Sequence, residues 1–343
     1  MRSNADGGYC KIKTIGILLL NLGGPDSLEA VRPFLFNLFA DRTIIKLGPP
    51  FLQKPLAWLI SGLRCGKTED MYRQIGGKSP LLDITSAQAK ALEEALRENT
   101  KLEIPNLDFR VYVGMRYWHP FIEDAVKQMH DEGIREVLGL SLYPHYSLAT
   151  TGSAVSRFNE AVKQFSMSSS CISSWFRHPL YIDALVAGIR KGMASFASAQ
   201  HGEGAGSGDA EVLFSAHGLP LSIVKSGDPY VSHIQATIDE VTKKIDVRWH
   251  LSYQSKSGPV KWLGPSTDDK MRELAERGVR DLLVVPISFV SDHIETLYEI
   301  DILYKKMASG LGMRLARTES LNTQPLFINA LKDLVISAVR EME

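Results

Sequence analysis

DAVKQMHDEGIREVLGLSLYPHYS, residues 124–147, returns in similar form as DKMRELAERGVRDLLVVPISFVSD, residues 269–292. In both stretches a helical pattern of apolar residues leads through a glycine, Gly133 or Gly278, into a nearly continuous apolar run. A short, nearly continuous apolar run between helices is typical of a buried strand in a parallel sheet. The repeat therefore predicts two α/β domains of the same kind.

Two further pairs of segments extend the repeat in the same order. GILLLNLGGP at residues 16–25 resembles EVLFSAHGLP at residues 211–220, and FRVYVGMRY at 109–117 resembles VRWHLSYQS at 247–255 more faintly. We therefore expect two similar doubly wound, Rossmann-like domains, each a parallel sheet flanked by helices, with the active-site cleft between them if the two halves face one another. Ligands of such sheets bind beyond the carboxyl ends of the strands.

The Ser-rich segment SMSSSCISS, residues 166–174, is the best candidate for the end of the first domain. We predict an N-terminal domain over residues 11–175 and a C-terminal domain over residues 176–343. The C-terminal domain is expected to end in an amphipathic helix over residues 325–342.

Composition excludes several classes of protein. The chain of 343 residues has 39 Lys and Arg against 39 Asp and Glu, whereas nucleic-acid binders usually carry a basic excess. Its three cysteines, Cys10, Cys65 and Cys171, form no CxxC pair, which argues against a disulfide framework, a structural zinc site and an iron–sulfur cluster. The sequence shows no signal peptide and no apolar run of the ~18 residues that a membrane-spanning helix needs. We predict a cytoplasmic protein, with peripheral attachment to the inner face of a membrane left open.

His217 is the first candidate for chemistry because it directly follows the apolar run of residues 211–216. An imidazole titrates near pH ~6.5, so it can accept a proton at cellular pH or bind a metal ion when neutral. The alternative interpretation is a loop histidine bonded to the backbone.

SDHIETLYEID, residues 291–301, places one histidine and four acids directly after another apolar run. Asp292 as N-cap and Glu295 three residues later would form a capping box, which is the structural interpretation. Glu299 lies one turn beyond Glu295 on the same helix face, where two carboxylates repel each other. This second acid favours a site that receives a cation.

Residues 42–68, here called the lip, combine basic and apolar side chains. The lip contains five basic residues and no acid, and residues 47–60 within it are apolar and interrupted by three prolines. Residues 47–60 therefore cannot form one regular helix. The composition suits a flat apolar ligand with anionic edges, or a lipid surface. A buried loop with solvated lysines is the alternative.

A Gly-Gly turn after the lip carries further donors for carboxylates, in MYRQIGGKSPL at residues 71–81. The chain contains no GxGxxG and no P-loop, so dinucleotide and nucleotide binding are not favoured.

Taken together, the motifs of this chain resemble the ferrochelatase family. The resemblance runs from about residue 14 to the end of the chain. It is carried by LLLNLGGPDSLEAVRPFLFNLFAD, YRQIGGKSPL, VGMRYWHPFIEDAV, SLYPHYSLATTGS, LFSAHGLPLSIVKSGDPY, YQSKSGPVKWLGPSTDD and VPISFVSDHIETLYEID. It implies insertion of ferrous iron into protoporphyrin IX, with release of two protons, in haem biosynthesis. Fe²⁺ is then a substrate, and no bound cofactor is expected.

The resemblance also implies roles for individual residues. His217 and Glu295 match the catalytic pair, and Glu299 joins them as a candidate metal ligand. His293 and Asp301 match other residues of the acidic helix. The candidate substrate-binding residues are Arg64, Lys67, Tyr72, Ser79, Arg116 and Tyr117.

Three positions depart from the pattern of some family members. Leu22 stands where some members have Met, and His145 replaces a common Gln. Leu303 stands where some members continue the row of acids found in residues 291–301. The departures at Leu22 and Leu303 concern the route of iron rather than the reaction.

Two other functions compete with this interpretation. One is a related tetrapyrrole chelatase, in particular one that uses coproporphyrin III, which has more anionic groups. The other is a non-catalytic tetrapyrrole carrier, which would need the lip but not His217, Glu295 and Glu299 together. The sequence does not determine the oligomeric state.

Overall fold

Two parallel sheets form the centre of the computed structural model, which describes residues 13–103, 107–198, 210–256, 258 and 260–342. Each sheet has four strands, in the orders β2-β1-β3-β4 and β6-β5-β7-β8. The first sheet consists of β1 (Lys13–Asn21), β2 (Leu107–Met115), β3 (Glu136–Ser141) and β4 (Ser168–Ile172). The second consists of β5 (Glu211–His217), β6 (Trp249–Gln254), β7 (Asp281–Pro286) and β8 (Arg314–Arg317). The equal strand orders confirm the predicted fold class.

Helices connect the strands and cover the sheets. Up to β4 they are α1 (Val31–Ala40), α2 (Gln53–Arg73), α3 (Leu81–Glu103), α4 (Ile122–Asp131) and α5 (Ser153–Gln164). After β4 they are α6 (Pro179–Ser198), α7 (Leu221–Lys225), α8 (Tyr230–Thr242), α9 (Thr267–Glu276), α10 (Lys305–Gly310) and α11 (Pro325–Met342). Two π-helical segments, Leu148–Gly152 and Glu295–Tyr304, follow β3 and β7 at corresponding places.

The repeated glycine and arginine have the same structural role in both halves. Gly133 and Gly278 follow α4 and α9 with φ of +86° and +89°, a left-handed conformation that favours glycine. Arg135 and Arg280, two residues later, each donate to carbonyls at the end of the preceding helix. The repeat therefore encodes a helix end that returns the chain to the sheet.

Burial explains why the strands are almost purely apolar. All six residues of β7 are buried, and so are the last seven of β1, as expected when helices cover both faces of a parallel sheet. One apolar core includes residues from both sheets, such as Ile17 and Leu138 from the first and Phe214 and Val285 from the second. The two halves are therefore packed against each other.

The last helix, α11, covers the range for which the sequence predicts a terminal helix. It packs against α6 and also against α3 of the first half. The boundary between residues 175 and 176 falls in the connection between β4 and α6, and it stays a prediction.

The lip is not one regular helix, as predicted. A 3₁₀ turn over Pro50–Leu52 leads into α2, a helix of 21 residues. Pro55 lies in the first turn of α2, where a backbone N–H would have no partner within the helix. Among the residues that the structure describes, no helix is long and apolar enough to cross a membrane.

Candidate active site

His217 is the last residue of β5, at the carboxyl end of the second sheet. Its backbone N–H donates to Ser288 Oγ at 2.9 Å, and its carbonyl accepts from Tyr230 Oη at 3.1 Å. Its Nδ1 lies 2.9 Å from Glu295 Oε2, and 30% of its side chain is exposed. The backbone is thus held firmly while Nε2 is left for a ligand.

Glu295 and Glu299 converge on one serine that the sequence analysis did not single out. Ser255 Oγ lies 2.8 Å from Glu295 Oε2 and 2.6 Å from Glu299 Oε2. The Nε2 of Gln254 lies 3.3 Å from each of the same two oxygens. Ser255 directly follows β6 and has φ of +65°, an unusual conformation for a serine. Its place after a strand that neighbours β5 is the signal that could have identified it.

The electrostatics of the site follow from this crowding. Burial alone would lower the pKa of His217, but the charge and hydrogen bond of Glu295, with the charge of Glu299, outweigh it and raise that pKa. Burial opposes ionisation of Glu295 as well, yet His217, His293 and Ser255 hold the pKa of Glu295 well below its ordinary value. Burial and the neighbouring charge of Glu295 raise the pKa of Glu299 to about 7. The site therefore contains one ionised carboxylate and one that titrates near neutral pH.

The capping-box interpretation of SDHIETLYEID is wrong. Asp292 accepts from Ser320 Oγ, Asn322 Nδ2 and Thr296 Oγ1, at 2.8, 2.9 and 2.9 Å. Glu295 opens the π-helical segment, and its carboxylate binds the side chains of the site. The backbone N–H of Asp292 donates to Asn322 Oδ1 rather than to Glu295, so no capping box forms.

The two other residues assigned to the acidic helix differ from each other in position. His293 is buried, with Nδ1 3.0 Å from the carbonyl of Ser291 and Nε2 4.0 Å from Glu295 Oε1. Asp301 instead accepts two hydrogen bonds from Arg317, at 3.0 and 2.8 Å. His293 therefore lies beside the site, whereas Asp301 is held in a separate ion pair.

Arg116 and Tyr117 share one carboxylate that the sequence analysis also missed. Arg116 Nη2 and Tyr117 Oη donate to Asp41 Oδ2 at 2.6 and 2.7 Å. Tyr117 is fully buried. Tyr117 Oη therefore bonds within the protein, and Arg116 uses Nη2 in this contact while 19% of its side chain stays exposed.

The other candidate substrate residues divide into a buried pair and an exposed pair. Tyr72 and Ser79 are both buried, and Ser79 packs directly against Gly24. Burial and the charge of Glu295 raise the pKa of Tyr72, which places it within electrostatic reach of the site. Arg64 and Lys67 are exposed on α2, three residues apart on the lip.

A small pocket is lined by residues of both halves. Leu22 and Tyr143 line it from the first half, and Phe289 and His293 line it from the second. Leu22 is the residue that the repeat aligns with His217. Ser147, which the repeat aligns with Asp292, does not line this pocket; it is fully buried and donates to Asp228 Oδ2 at 3.0 Å.

No three His, Cys, Asp or Glu side chains within the described residues are arranged to hold a metal ion by themselves. His217 contacts Glu295 directly, and Ser255 links Glu295 to Glu299, so the three side chains form a chain of hydrogen-bonded groups.

Two matched four-stranded parallel sheets flanked by helices, with a histidine–carboxylate pair at the strand ends of the second sheet, define a protein of the doubly wound α/β class. The solved structure of SirB from Bacillus subtilis with Fe³⁺ has the same fold, with a TM-score of 0.52, 12% identity and coverage of 94% of both chains. At that identity the likeness concerns the fold alone.

Sequence comparison identifies the family. The sequence model of the ferrochelatase family matches residues 14–339. Ferrochelatase of Desulfotalea psychrophila is 49% identical over 94% of this chain and 97% of its own length. Ferrochelatase of Geotalea uraniireducens is 50% identical with the same coverage, and that of Synechocystis is 46% identical over 95% of this chain and 83% of its own length. The chain belongs to the ferrochelatase family, and it is an enzyme of haem biosynthesis.

Proposed function

We propose that this enzyme inserts Fe²⁺ into protoporphyrin IX, and that the pair of His217 and Glu295 accepts the protons that leave the ring. The observation that carries the assignment of this pair is the 2.9 Å contact between His217 Nδ1 and Glu295 Oε2. Two pyrrole N–H protons must leave the porphyrin as one Fe²⁺ enters, so the reaction needs a base on one face of the ring.

His217 is suited to be that base. Its Nδ1 is occupied by Glu295, so Nε2 is the nitrogen that accepts a proton or contacts the metal. The ionised Glu295 raises the pKa of His217, which makes the neutral imidazole a stronger proton acceptor. Because Glu295 holds the ring through one nitrogen, it also fixes the direction in which the other points.

Glu299 is proposed to continue the route beyond this pair. It shares Ser255 with Glu295, and its pKa of about 7 allows it to take up and release protons near neutral pH. In their ionised forms the two carboxylates attract a hydrated cation, which no neutral side chain would do as well. Glu299 is therefore assigned to the traffic of protons and iron rather than to porphyrin binding.

The lip is proposed to receive the porphyrin. Arg64 and Lys67 reach solvent at its surface and are assigned to the propionate groups of the substrate. Tyr72 and Ser79 are buried, so we assign them to the wall of the cleft rather than to ion pairs.

An insertion assay without oxygen tests this function. The protein is mixed with Fe²⁺ and either protoporphyrin IX or coproporphyrin III, and the haem absorbance spectrum is followed. We expect insertion into protoporphyrin IX at the higher kcat/KM. Faster insertion into coproporphyrin III would change the assigned substrate, and porphyrin binding without insertion would identify a carrier.

Peripheral contact with a membrane through residues 47–60 is a further part of the proposal. Phe51 and Trp58 in this segment are 76% and 59% exposed, and Lys46 and Lys54 beside them are exposed as well. Apolar side chains among basic ones suit a surface of anionic lipid. Sedimentation with anionic vesicles should recover more protein than sedimentation with neutral ones, and replacing Phe51 and Trp58 by Ser should abolish the difference. Equal recovery with both vesicles would argue against membrane contact.

A further inference from the structure

Asp41, the last residue before the lip, is bound by side chains from two other parts of the first half. Its Oδ2 accepts from Arg116 Nη2 at 2.6 Å, Tyr117 Oη at 2.7 Å and Ser153 Oγ at 2.7 Å. Its Oδ1 accepts from the backbone N–H of Thr43 at 2.8 Å. Only 7% of the Asp41 side chain is exposed, so these charge-assisted bonds lie largely out of water.

This arrangement engages two of the three nitrogens of the Arg116 guanidinium. Besides its bond to Asp41, Arg116 donates from Nε to Ser153 Oγ at 2.7 Å, and its guanidinium lies 4.7 Å from the centre of the Tyr117 ring. A guanidinium paired with a nearly buried carboxylate has little attraction left for a substrate carboxylate. Arg116 therefore binds Asp41 rather than a carboxylate of the substrate.

The lip behind Asp41 is held together by a buried glutamine. Gln53, 2% exposed at the start of α2, donates from Nε2 to the carbonyls of Phe39 and Ile45 at 2.7 and 2.8 Å. Its Oε1 accepts from the backbone N–H of Leu47 and from Arg42 Nη1, both at 3.1 Å. These four hydrogen bonds join the first turn of α2 to the loop before it as one unit.

Apolar contacts also attach this unit to the domain, through residues such as Phe39, Ala57 and Tyr117. Apolar burial is not directional, so it holds the lip in place without setting its angle. The hydrogen bonds of Asp41 are directional and come from the end of β2 and the start of α5.

We infer that Asp41 is a positioning residue for porphyrin binding, which fixes the lip to the first sheet through Arg116, Tyr117 and Ser153. In this role Arg116 is part of the attachment and not a receptor for a propionate. The inference deepens the proposed function, since it concerns how the lip is presented to the porphyrin that the enzyme uses.

The test compares Asp41→Asn with Asp281→Asn. Asp281 is an equally buried carboxylate in a two-bond pair with Arg314, at 2.5 and 2.6 Å, but it lies at the amino end of β7, away from the lip. Porphyrin binding is measured by fluorescence quenching without metal, and KM and kcat are measured in the insertion assay. We expect Asp41→Asn to weaken porphyrin binding and to raise its KM about tenfold, with kcat and the KM for Fe²⁺ within about twofold of the wild type. Asp281→Asn should leave both porphyrin values unchanged.

A double-variant cycle distinguishes attachment from direct binding by Arg116. If Arg116 acts through Asp41, adding Arg116→Gln to Asp41→Asn weakens porphyrin binding no further, because both changes break the same contact. Losses that multiply would show that Arg116 binds the porphyrin independently and would overturn the inference.

Ser153→Ala keeps the inference testable if Asp41→Asn does not fold. It removes one of the three donors to Oδ2 and should weaken porphyrin binding about threefold. Wild-type binding in every folded variant would refute the role of Asp41. Absence of insertion by the wild type would instead refute the proposed function, and the binding measurements would still test the lip.

Discussion

Glu295 Oε2 lies 2.9 Å from His217 Nδ1, although the two residues are 78 positions apart in the chain. The contact joins the end of β5 to the start of the π-helical segment that follows β7, its neighbour in the sheet. Because parallel strands end at the same edge of a sheet, the two loops bring a base and an acid together there. The charge of Glu295 stabilises the protonated form of His217, and protonated His217 stabilises the ionised form of Glu295.

Replacing His217 by Ala should abolish insertion and leave the fold intact. Loss of a positioned proton acceptor typically lowers a rate by ~10²–10⁴. The side chain is partly exposed, so its removal leaves no sealed cavity in the core. Anaerobic turnover and a thermal melt are the measurements, with His130→Ala, an imidazole on α4 outside the site, as the control. A folded His217→Ala variant with near-normal turnover would disprove the assigned role.

Glu295→Gln should fold and fail to insert iron. The amide has nearly the shape of the carboxylate and can still bond Ser255, but it supplies no charge to raise the pKa of His217 or to attract Fe²⁺. We therefore expect kcat to fall at least tenfold while porphyrin binding stays within about twofold of the wild type. A variant that melts far earlier but keeps its rate per folded molecule would show that Glu295 has a structural role only.

Glu299→Gln should do less harm than Glu295→Gln, because Glu299 contacts Ser255 rather than His217. Burial first of all, with the charge of Glu295, raises the pKa of Glu299, and a neutral amide avoids both penalties, so stability should not fall. The expected change is a higher KM for Fe²⁺ with an unchanged KM for porphyrin. Kinetics against the concentration of each substrate separate these two values, and a change in the porphyrin KM alone would contradict the proposed route.

Replacing both Arg64 and Lys67 by Ala should mainly raise the KM for porphyrin. Contacts to propionates at the ring edge are similar in the ground and transition states, so kcat should change little. Exposed ion pairs contribute ~0.2–1 kcal/mol each, so each single variant should have a modest effect. Lys127→Ala, an exposed lysine on α4 paired with Asp131, is the control. Unchanged porphyrin binding in the double variant would show that the lip does not bind the substrate.

His145→Gln should make the protein less sensitive to acid. His145 is buried, with Nε2 2.9 Å from Thr237 Oγ1, and burial first of all, with His233, lowers its pKa from 6.5 to about 3. Between these two values the unfolded chain binds the proton and the folded chain does not. The stability that this histidine provides is therefore complete above pH 6.5 and is lost as the pH falls toward 3.

Urea unfolding at pH 7 and pH 5 measures this effect. The wild type should lose up to about 2 kcal/mol more of its free energy of unfolding than His145→Gln between the two values. Gln can still bond the hydroxyl of Thr237, so the comparison isolates the titration. His130→Gln should resemble the wild type, and an equal loss in all three proteins would mean that His145 is not buried in its neutral form.

Local patterns were enough to predict the architecture. The apolar runs of β3 and β7 and the helical periods of α4 and α9 recur together, and each element depends on residues close to it in the chain. The matched glycines, Gly133 and Gly278, show why the repeat could be read, since each meets a conformational requirement of its own helix end.

The site could be predicted only in part. His217 could be placed at a strand end from the apolar run before it, and the pair with Glu295 was proposed through the resemblance to a family. Periodicity alone suggested an α-helix after β7, and with it a capping box. Glu295 instead opens a π-helical segment, and its carboxylate contacts His217 and Ser255.

By itself, the sequence determined that this protein has two matched α/β halves, a basic and apolar lip, and a histidine and acids at strand ends, because these are properties of neighbouring residues. Only the tertiary structure decided which of those charges are available. Asp41 pairs with Arg116 across 75 positions of the chain, and Asp301 pairs with Arg317. The packing of the helices and sheets determines which charged groups lie close enough to interact. That packing brings together residues that no local pattern connects.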